Sequence, residues 1–289
     1  MKHIHILSPA KSISPDIIDS ALAFLVNEGF KVTIGEHAKG SFHYFSADVE
    51  SRKSDFQRAL DDPAIDVILC SRGGYGCVQF IDQLDWSGFI KHPKYIAGYS
   101  DVTVFHNRMA KMGYPSIHGT APLNFHENTA AALSSLVDAL NARSIHHKWT
   151  PNELNKEGVV TAPVVGGNLA IIATLIGTND ELDLSGKILF IEEIGEAVYA
   201  VDRMIWQLKK SGQFEKLTGL LVGGMTSMKD SEVPFGKSVH EVIADHTNTL
   251  NIPLAFDFPA GHIDDNRALF LGKEVTLNVS SDRVIFQQN

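Results

Sequence analysis

The chain has only two cysteines, Cys70 and Cys77, in 289 residues, so no disulfide framework exists. That scarcity fits a reducing compartment. Basic excess is also lacking: Lys plus Arg (25) against Asp plus Glu (34) leaves a formal charge of −9. With no basic cluster, nucleic acid and anionic membrane surfaces are excluded as partners. No stretch approaches the ~20 apolar residues of a membrane helix. The N-terminal MKHIHILSPAKSIS is too short and too interrupted in its apolar run for a signal peptide, and it reads as a first strand. These absences place the protein in the cytoplasm. Internal repeats and low-complexity tracts are missing as well.

What remains is the profile of an ordinary globular protein, with 44% hydrophobic and 20% charged residues. Its length allows one large domain or two. In the first half, short apolar strands (HIHIL, KVTIG, AIDVILC, YIAGYS) alternate with helical patterns at Asp16–Glu28, Ser51–Leu60, Cys77–Gln83 and Val102–Met112. That alternation predicts a parallel sheet with helices on both faces. NTAAALSSLVDAL reads as one more helix, and the polar NARSIHHKWTPNELNKEG after it as an irregular link. The predicted division is an N-terminal α/β domain over 1–142, a link over 143–158, and a β-rich α+β domain over 159–289. In the last, six strand-like runs carry helices near 168–177, 202–211 and 236–246.

Ser100 poses the first chemical question. It follows the apolar run YIAGY and precedes a helical pattern. As an N-cap it would satisfy a free N–H of that helix, and local sequence alone favours this reading. As a nucleophile it would stand at the carboxyl edge of the sheet, where open α/β folds bind ligands. Val102 occupies the place where a G-x-S-x-G elbow needs glycine. The loop SRGGYG (71–76) permits close backbone approach to a ligand or oxyanion, yet fits neither the P-loop nor G-x-G-x-x-G. Beside it, Cys70 ends an apolar strand and reads as a small buried hydrophobe.

Three further features carry ionisable groups. Glu192 ends the apolar run KILFIEE, where an unpaired carboxylate is costly to bury and a histidine partner fits. Glu193 and Glu196 read as a solvated turn or as partners of Arg203. His262 lies on a loop after a strand; with a serine and a glutamate elsewhere it becomes a candidate general base. His3 and His5 share a strand face, but two ligands make no metal site. HEVIADH (240–246) puts Ala244 where HExxH requires histidine, and no metal is predicted.

The order of these blocks is informative. RALDDPAIDVILCSRGGYG, KYIAGYSDVTVFHN, IHGTAP, GGNLAIIATLIGT, LFIEEIGEAVYAVDRMIWQL and PAGHIDD together resemble the LD-carboxypeptidase family, across essentially the whole chain. Those enzymes are cytoplasmic serine peptidases that remove the terminal D-alanine of murein tetrapeptides. The resemblance implies Ser100 as nucleophile, Glu192 as acid and His262 as base. It also implies an oxyanion hole from the amides of Asp101 and Gly74, with Gly73 as the alternative. Tyr75 and Asn168 would line the cleft by their place in the family motifs. The implied enzyme uses no metal or organic cofactor, is often a homodimer, and assembles its triad across two domains. Some relatives are microcin C immunity peptidases, which carry an inserted loop before the glutamate; the short span TLIGTNDELDLSGKIL favours murein peptide instead. A non-catalytic two-lobed binding protein and a hydrolase using Cys70 are the other readings. Arg72 and Arg203 are the possible cations for a substrate carboxylate.

Overall fold

The computed structural model describes all residues 1–289, arranged around two sheets. In the first half, β1 (His3–Leu7), α1 (Pro15–Asn27), β2 (Lys31–Ile34), α2 (Val49–Asp61), β3 (Val67–Cys70) and α3 (Ser87–Lys91) are followed by β4 (Tyr95–Gly98), α4 (Thr103–Met112), β5 (Ser116–His118) and α5 (Ala130–Leu140). The second half holds β6 (Ile145–Trp149), β7 (Gly158–Asn168), α6 (Leu169–Thr174), β8 (Ile188–Ile194), α7 (Val198–Lys210), β9 (Gly219–Thr226) and α8 (Val239–His246), then β10 (Leu254–Ala255), β11 (Leu269–Leu271), β12 (Glu274–Val279) and β13 (Val284–Gln288).

Sheet one runs β11-β5-β4-β3-β1-β2. Strands β1 to β5 are parallel, and β11 joins antiparallel at the edge beside β5. The central strand β3 is buried at every position, as a sheet covered on both faces requires. Sheet two runs β10-β9-β8-β7-β12-β13-β6. Its β7–β10 portion is parallel and its β12, β13, β6 portion antiparallel. Local chemistry sets the helix starts. Pro15 opens α1, the Asp48 carboxylate accepts from Ser51 N (2.8 Å), and Ser238 with Glu241 forms a capping box on α8.

The structure departs from the sequence expectation in four places. The stretch 143–158 is not irregular throughout: β6 lies in it, with Ile145 and His147 buried and Lys148 outward, paired to β13. The alternation is real but is masked by two histidines and a lysine. Residues 77–83 form two short 3₁₀ turns rather than one helix. ALFLGKEVTLNV splits at Gly272 between the sheets, since β11 returns to sheet one. The short β5 was hidden in IHGTAP, whose three strand residues carry too little pattern to read.

One apolar cluster spans both sheets, with Ile4, Val67, Ala97 and Ile117 from the first and Val164, Phe190, Leu277 and Phe286 from the second. Two others fill the space under α6–α8 and under α2–α4. Set into the last is a buried cation, Arg52 on α2. Its guanidinium donates to Ala47 O (3.0 Å), Pro9 O (2.8 Å), Gly76 O (3.2 Å) and Gln79 Oε1 (2.6 Å), and lies 4.4 Å from the Phe45 ring centroid. It thus ties the turn after β1 to the glycine loop after β3. Arg52→Leu strands these buried acceptors and is expected to cost about 2–4 kcal/mol in urea unfolding. Arg52→Lys recovers only part, because an ammonium lacks the planar fork. A loss below about 1 kcal/mol for Arg52→Leu contradicts this account.

Candidate active site

Ser100 does not cap a helix. It lies inside a 3₁₀ turn (Ser100–Val102) that leads into α4, and neither element has a side-chain cap. Instead Ser100 adopts φ +65°, a left-handed conformation costly for a residue with a Cβ. Gly98 just before it has φ +151° and packs under Val102. The strand-to-helix turn therefore lifts the hydroxyl off the edge of β4, as a nucleophile elbow does, although the G-x-S-x-G spelling is absent.

The glycine loop presses on this serine. A methyl group at Gly73 would sit 2.7 Å from Ser100 Cβ and 2.9 Å from both Ser100 Oγ and the Asp101 amide nitrogen. One at Gly74 would instead meet Lys11 Cβ at 2.9 Å and Tyr44 Oη at 3.2 Å. It is Gly73, not Gly74, whose Cα faces the serine. The N–H groups of both glycines donate to no protein acceptor. Asp101 staples loop and turn together: its buried carboxylate accepts from Cys77 N at 2.9 Å. Burial raises its pKa, against the hydrogen bonds of Cys77 and the charge of Arg52. Tyr75 projects half-exposed over the loop, its ring 6.2 Å from that of Phe45.

From sheet two come the acid and the imidazole. Glu192, on β8, has no solvent exposure, and its Oε2 lies 2.7 Å from His262 Nδ1. The carboxylate accepts from Nδ1–H, which leaves Nε2 with the free lone pair. A methyl at Gly261 (φ +112°) would strike Glu192 Cβ at 2.7 Å, so only glycine lets this loop close on the strand. The loop is fixed from below where the register of β9 slips opposite Glu192: Gly224 N donates to Ala260 O at 2.8 Å. Burial lowers the His262 pKa, but the Glu192 charge and hydrogen bond, helped by Glu193, outweigh it and raise it above the ordinary 6.5.

The two halves meet here. The Tyr99 ring lies 4.9 Å from the His262 ring, and the Tyr99 hydroxyl donates to Asn124 Oδ1 at 2.6 Å. Asn168 N donates to Thr103 Oγ1 at 3.0 Å, joining β7 of sheet two to α4 behind the serine. Ser100 Oγ and His262 are not hydrogen-bonded to each other at 3.5 Å or less. The hydroxyl is turned toward Gly73, and such contacts commonly tighten only with substrate in place.

Several expectations change. Asn168 is buried rather than lining the cleft: its Oδ1 accepts from Ile171 N (3.2 Å) and its Nδ2 donates to Glu193 Oε1 (2.9 Å). Glu193 is not in a solvated turn. Its carboxylate also accepts from Ala170 N (2.7 Å) and Ile194 N (2.8 Å), which lets it be buried. Arg203 lies over the Tyr199 ring (5.6 Å) without an ion pair. Cys70 is fully buried, and burial pushes its thiol away from the thiolate a nucleophile needs. In HEVIADH, Glu241 serves the capping box and His246 Nε2 meets Asp202 Oδ1 at 2.7 Å. His3 and His5 both bond Thr33 Oγ1 at 2.8 Å. Glu36, His37 and Asp55, which sequence did not single out, lie close enough together to hold a cation, but Arg58 donates to both carboxylates and compensates their charge. Sequence reasoning assigned no role to Tyr99, Thr103, His118 or Asn266, for which single-residue spacing gives no signal.

A two-sheet α/β protein in which a strained serine follows a tyrosine packed on a carboxylate-bound histidine has the parts of a serine hydrolase. The comparisons narrow the class. The profile of the LD-carboxypeptidase N-terminal domain matches residues 4–119, and that of the C-terminal domain residues 161–277. The murein tetrapeptide carboxypeptidase of Pseudomonas aeruginosa is 30% identical over 286 residues, covering 95% of this chain and 92% of that one. A probable murein peptide carboxypeptidase of Bacillus subtilis is 28% identical over 293 residues, covering 98% and 91%. The solved muramoyltetrapeptide carboxypeptidase from Oxalobacter formigenes superposes with a TM-score of 0.91 at 27% identity, over 99% of this chain and 98% of that one. The microcin C7 self-immunity protein MccF in complex with glutamyl sulfamoyl guanosine shares the fold at 21% identity, with a TM-score of 0.87 over 100% and 96% of the chains. The chain belongs to the LD-carboxypeptidase family and is a serine-type carboxypeptidase.

Gly73 has ordinary φ, so alanine there tests the close approach alone. Gly73→Ala is expected to fold normally by circular dichroism but to lose at least ~100-fold in kcat, the scale of losing one oxyanion donor. Wild-type kcat would show that the loop and the serine do not work as a unit.

Proposed function

We propose that the enzyme releases the terminal D-alanine of murein tetrapeptide through a Ser100–His262–Glu192 acyl-enzyme mechanism, in cell-wall recycling. The observation that carries this reading is the buried Glu192–His262 bond, with the His262 ring packed on Tyr99, the residue before a serine held at positive φ. Ser100 Oγ attacks the carbonyl of the third residue while His262 Nε2 takes its proton. Glu192 holds the imidazole in the tautomer that leaves Nε2 free and stabilises the imidazolium. The tetrahedral oxyanion rests on the Asp101 amide and one amide of the Gly73–Gly74 pair: Gly74 by the family pattern, with Gly73 bringing the loop against the serine. Each donor is worth ~3 kcal/mol in the transition state. His262 then protonates the leaving D-alanine amine, and water clears the ester by the same steps reversed. Every step draws on side chains, amides and water.

A carboxypeptidase also needs a cation for the free carboxylate of its substrate. Arg72 stands beside Gly73 with its Nη1 donating to Ser12 O (3.1 Å) and its Nε unpaired. We assign the carboxylate to it, with Tyr75 covering the bound peptide. The names of the relatives from Pseudomonas aeruginosa and Oxalobacter formigenes support murein tetrapeptide as the substrate. No helix is long and apolar enough to cross a membrane, and both thiols are free and buried. These facts fit a cytoplasmic enzyme, and the family pattern adds a homodimer.

The test is mass spectrometry of L-Ala-γ-D-Glu-meso-diaminopimelate-D-Ala incubated with the wild type and with Ser100→Ala. The expected result is loss of one alanine with the wild type alone. Loss with both excludes Ser100, and loss with neither turns the reading toward aminoacyl-nucleotide analogues.

The pH profile supplies a second check. The base must be neutral to accept the serine proton, and its pKa is raised. The acid limb of kcat/KM is therefore expected above pH 6.5 in the wild type and lower in Glu192→Gln, where the charge is removed. An acid limb that does not move in Glu192→Gln separates Glu192 from the base.

A further inference from the structure

Behind the candidate triad, three buried polar groups lack any hydrogen-bond partner: Glu192 Oε1, both ring nitrogens of His118, and Asn266 Nδ2. Their residues are at most 1% exposed. Native interiors rarely leave such groups unmatched, and three of them, one being the candidate acid's own oxygen, call for a common explanation.

The packing brings them together. His118 ends β5, and its ring lies 4.9 Å from the Phe190 ring and 6.1 Å from the Tyr99 ring. Phe190 and Glu192 alternate onto the same face of β8, while Leu189 and Ile191 face the helices on the other side. The Tyr99 ring thus stands between His118 and His262. Asn266 approaches Glu192 through the loop that carries His262. Its Oδ1 accepts from Gly261 N at 2.8 Å, and Gly261 is the residue pressed against the Glu192 side chain.

Other partners for His118 are already taken. His106, 6.0 Å away ring to ring, donates from Nε2 to Gly98 O (2.9 Å), and its Nδ1 accepts from Ser116 Oγ (2.8 Å). Burial first, then the neighbouring His106 and His262, keeps His118 neutral, with one N–H to donate and one lone pair. Asn266 has N–H groups to donate, and Glu192 Oε1 can only accept.

We propose that His118 and Asn266 are positioning residues for the catalytic dyad, holding Oε1 of Glu192 through one shared ordered water. The water donates one hydrogen to Oε1 and accepts from the His118 N–H and from Asn266 Nδ2–H, which gives Oε1, Nδ2 and one of the two His118 nitrogens a partner at once. The consequence is electrostatic. Donors on Oε1 draw carboxylate charge away from Oε2, so Glu192 orients His262 without gripping its proton too tightly. A base with its pKa pushed far above the working pH would be protonated and idle. The charged and titratable groups near His262 are Glu192 from β8, with Glu193 acting from the opposite face of that strand, Tyr99 just after β4 and His118 from β5; Arg72 and Glu127 act on Tyr99. None of the others supplies a donor to Oε1.

The role in turnover rests on the triad proposed above, but the test does not need turnover. The midpoint of His262 is read by NMR titration of histidine-labelled protein, its signal assigned by loss in His262→Gln. In His118→Phe, which keeps a ring against Phe190, the midpoint is expected to rise by roughly 0.5–1 pH unit. In His118→Gln, which keeps an N–H donor, it stays near the wild-type value. An unmoved midpoint in His118→Phe overturns the proposal, as does an equal rise in both variants. Should His118→Phe fail to fold, a high-resolution crystal structure of the native protein decides. A water within hydrogen-bonding distance of Glu192 Oε1, a His118 ring nitrogen and Asn266 Nδ2 supports the proposal, and its absence overturns it. A shifted midpoint in a protein that leaves tetrapeptide intact would retain the positioning claim while removing the substrate assignment.

Discussion

A carboxylate with no access to solvent sits in the last half of β8, and much of the site follows from it. An isolated charge in that position would be far too costly to keep, so Glu192 must be paired. Its partner, His262, is carried on a loop that has to close directly onto the strand. Gly261 makes that closure sterically allowed, and the glycine-lined slip in β9 takes up Ala260 just before it. The pairing in turn fixes the tautomer of the imidazole. A structural necessity, neutralising a buried charge, thereby produces an oriented imidazole.

The serine is positioned by a different economy, that of missing side chains. Gly73 against Ser100, Gly167 against Thr103 and Gly261 against Glu192 are all places where a methyl group would fall within 3 Å of its neighbour. At these points the two sheets and the glycine loop approach more closely than side chains permit. The strain at Ser100 is maintained because its surroundings are rigid on every side: Asp101 is tied to the glycine loop, Arg52 holds that loop to the turn after β1, and Thr103 is bonded to β7. Ser100 and the Glu192–His262 pair come from separate sheets, yet one apolar cluster spans both and fixes their relation.

Alternation of strand and helix made the first sheet legible, because parallel strands are buried throughout and their helices show one apolar face. The order of G-Y-S-D, F-I-E-E and P-A-G-H carried the family resemblance, and of the side chains it singled out the structure bonds Glu192 to His262. What stayed hidden depended on tertiary partners. Asn168 looks like a ligand-binding amide in sequence, but it caps α6 and satisfies Glu193. Glu193 looks solvated until three N–H donors are found around it. The strand β6 was obscured because His147 is buried with its Nε2 donating to Ala268 O, a contact 121 residues away in sequence. His118 and Asn266 carry no local signal at all; only the structure shows one packed on Phe190, two residues before Glu192, and the other bonded to Gly261, which presses on Glu192.

The central claim is that a dyad on the second sheet activates a serine on the first. Its most direct measurement is the rate at which a fluorophosphonate labels the protein, with the modified residue located by peptide mass mapping. The account predicts labelling at Ser100 in the wild type, slowed at least ~100-fold in His262→Ala, the typical contribution of a positioned base. Equal labelling rates in the two proteins, or modification of another serine, would contradict it.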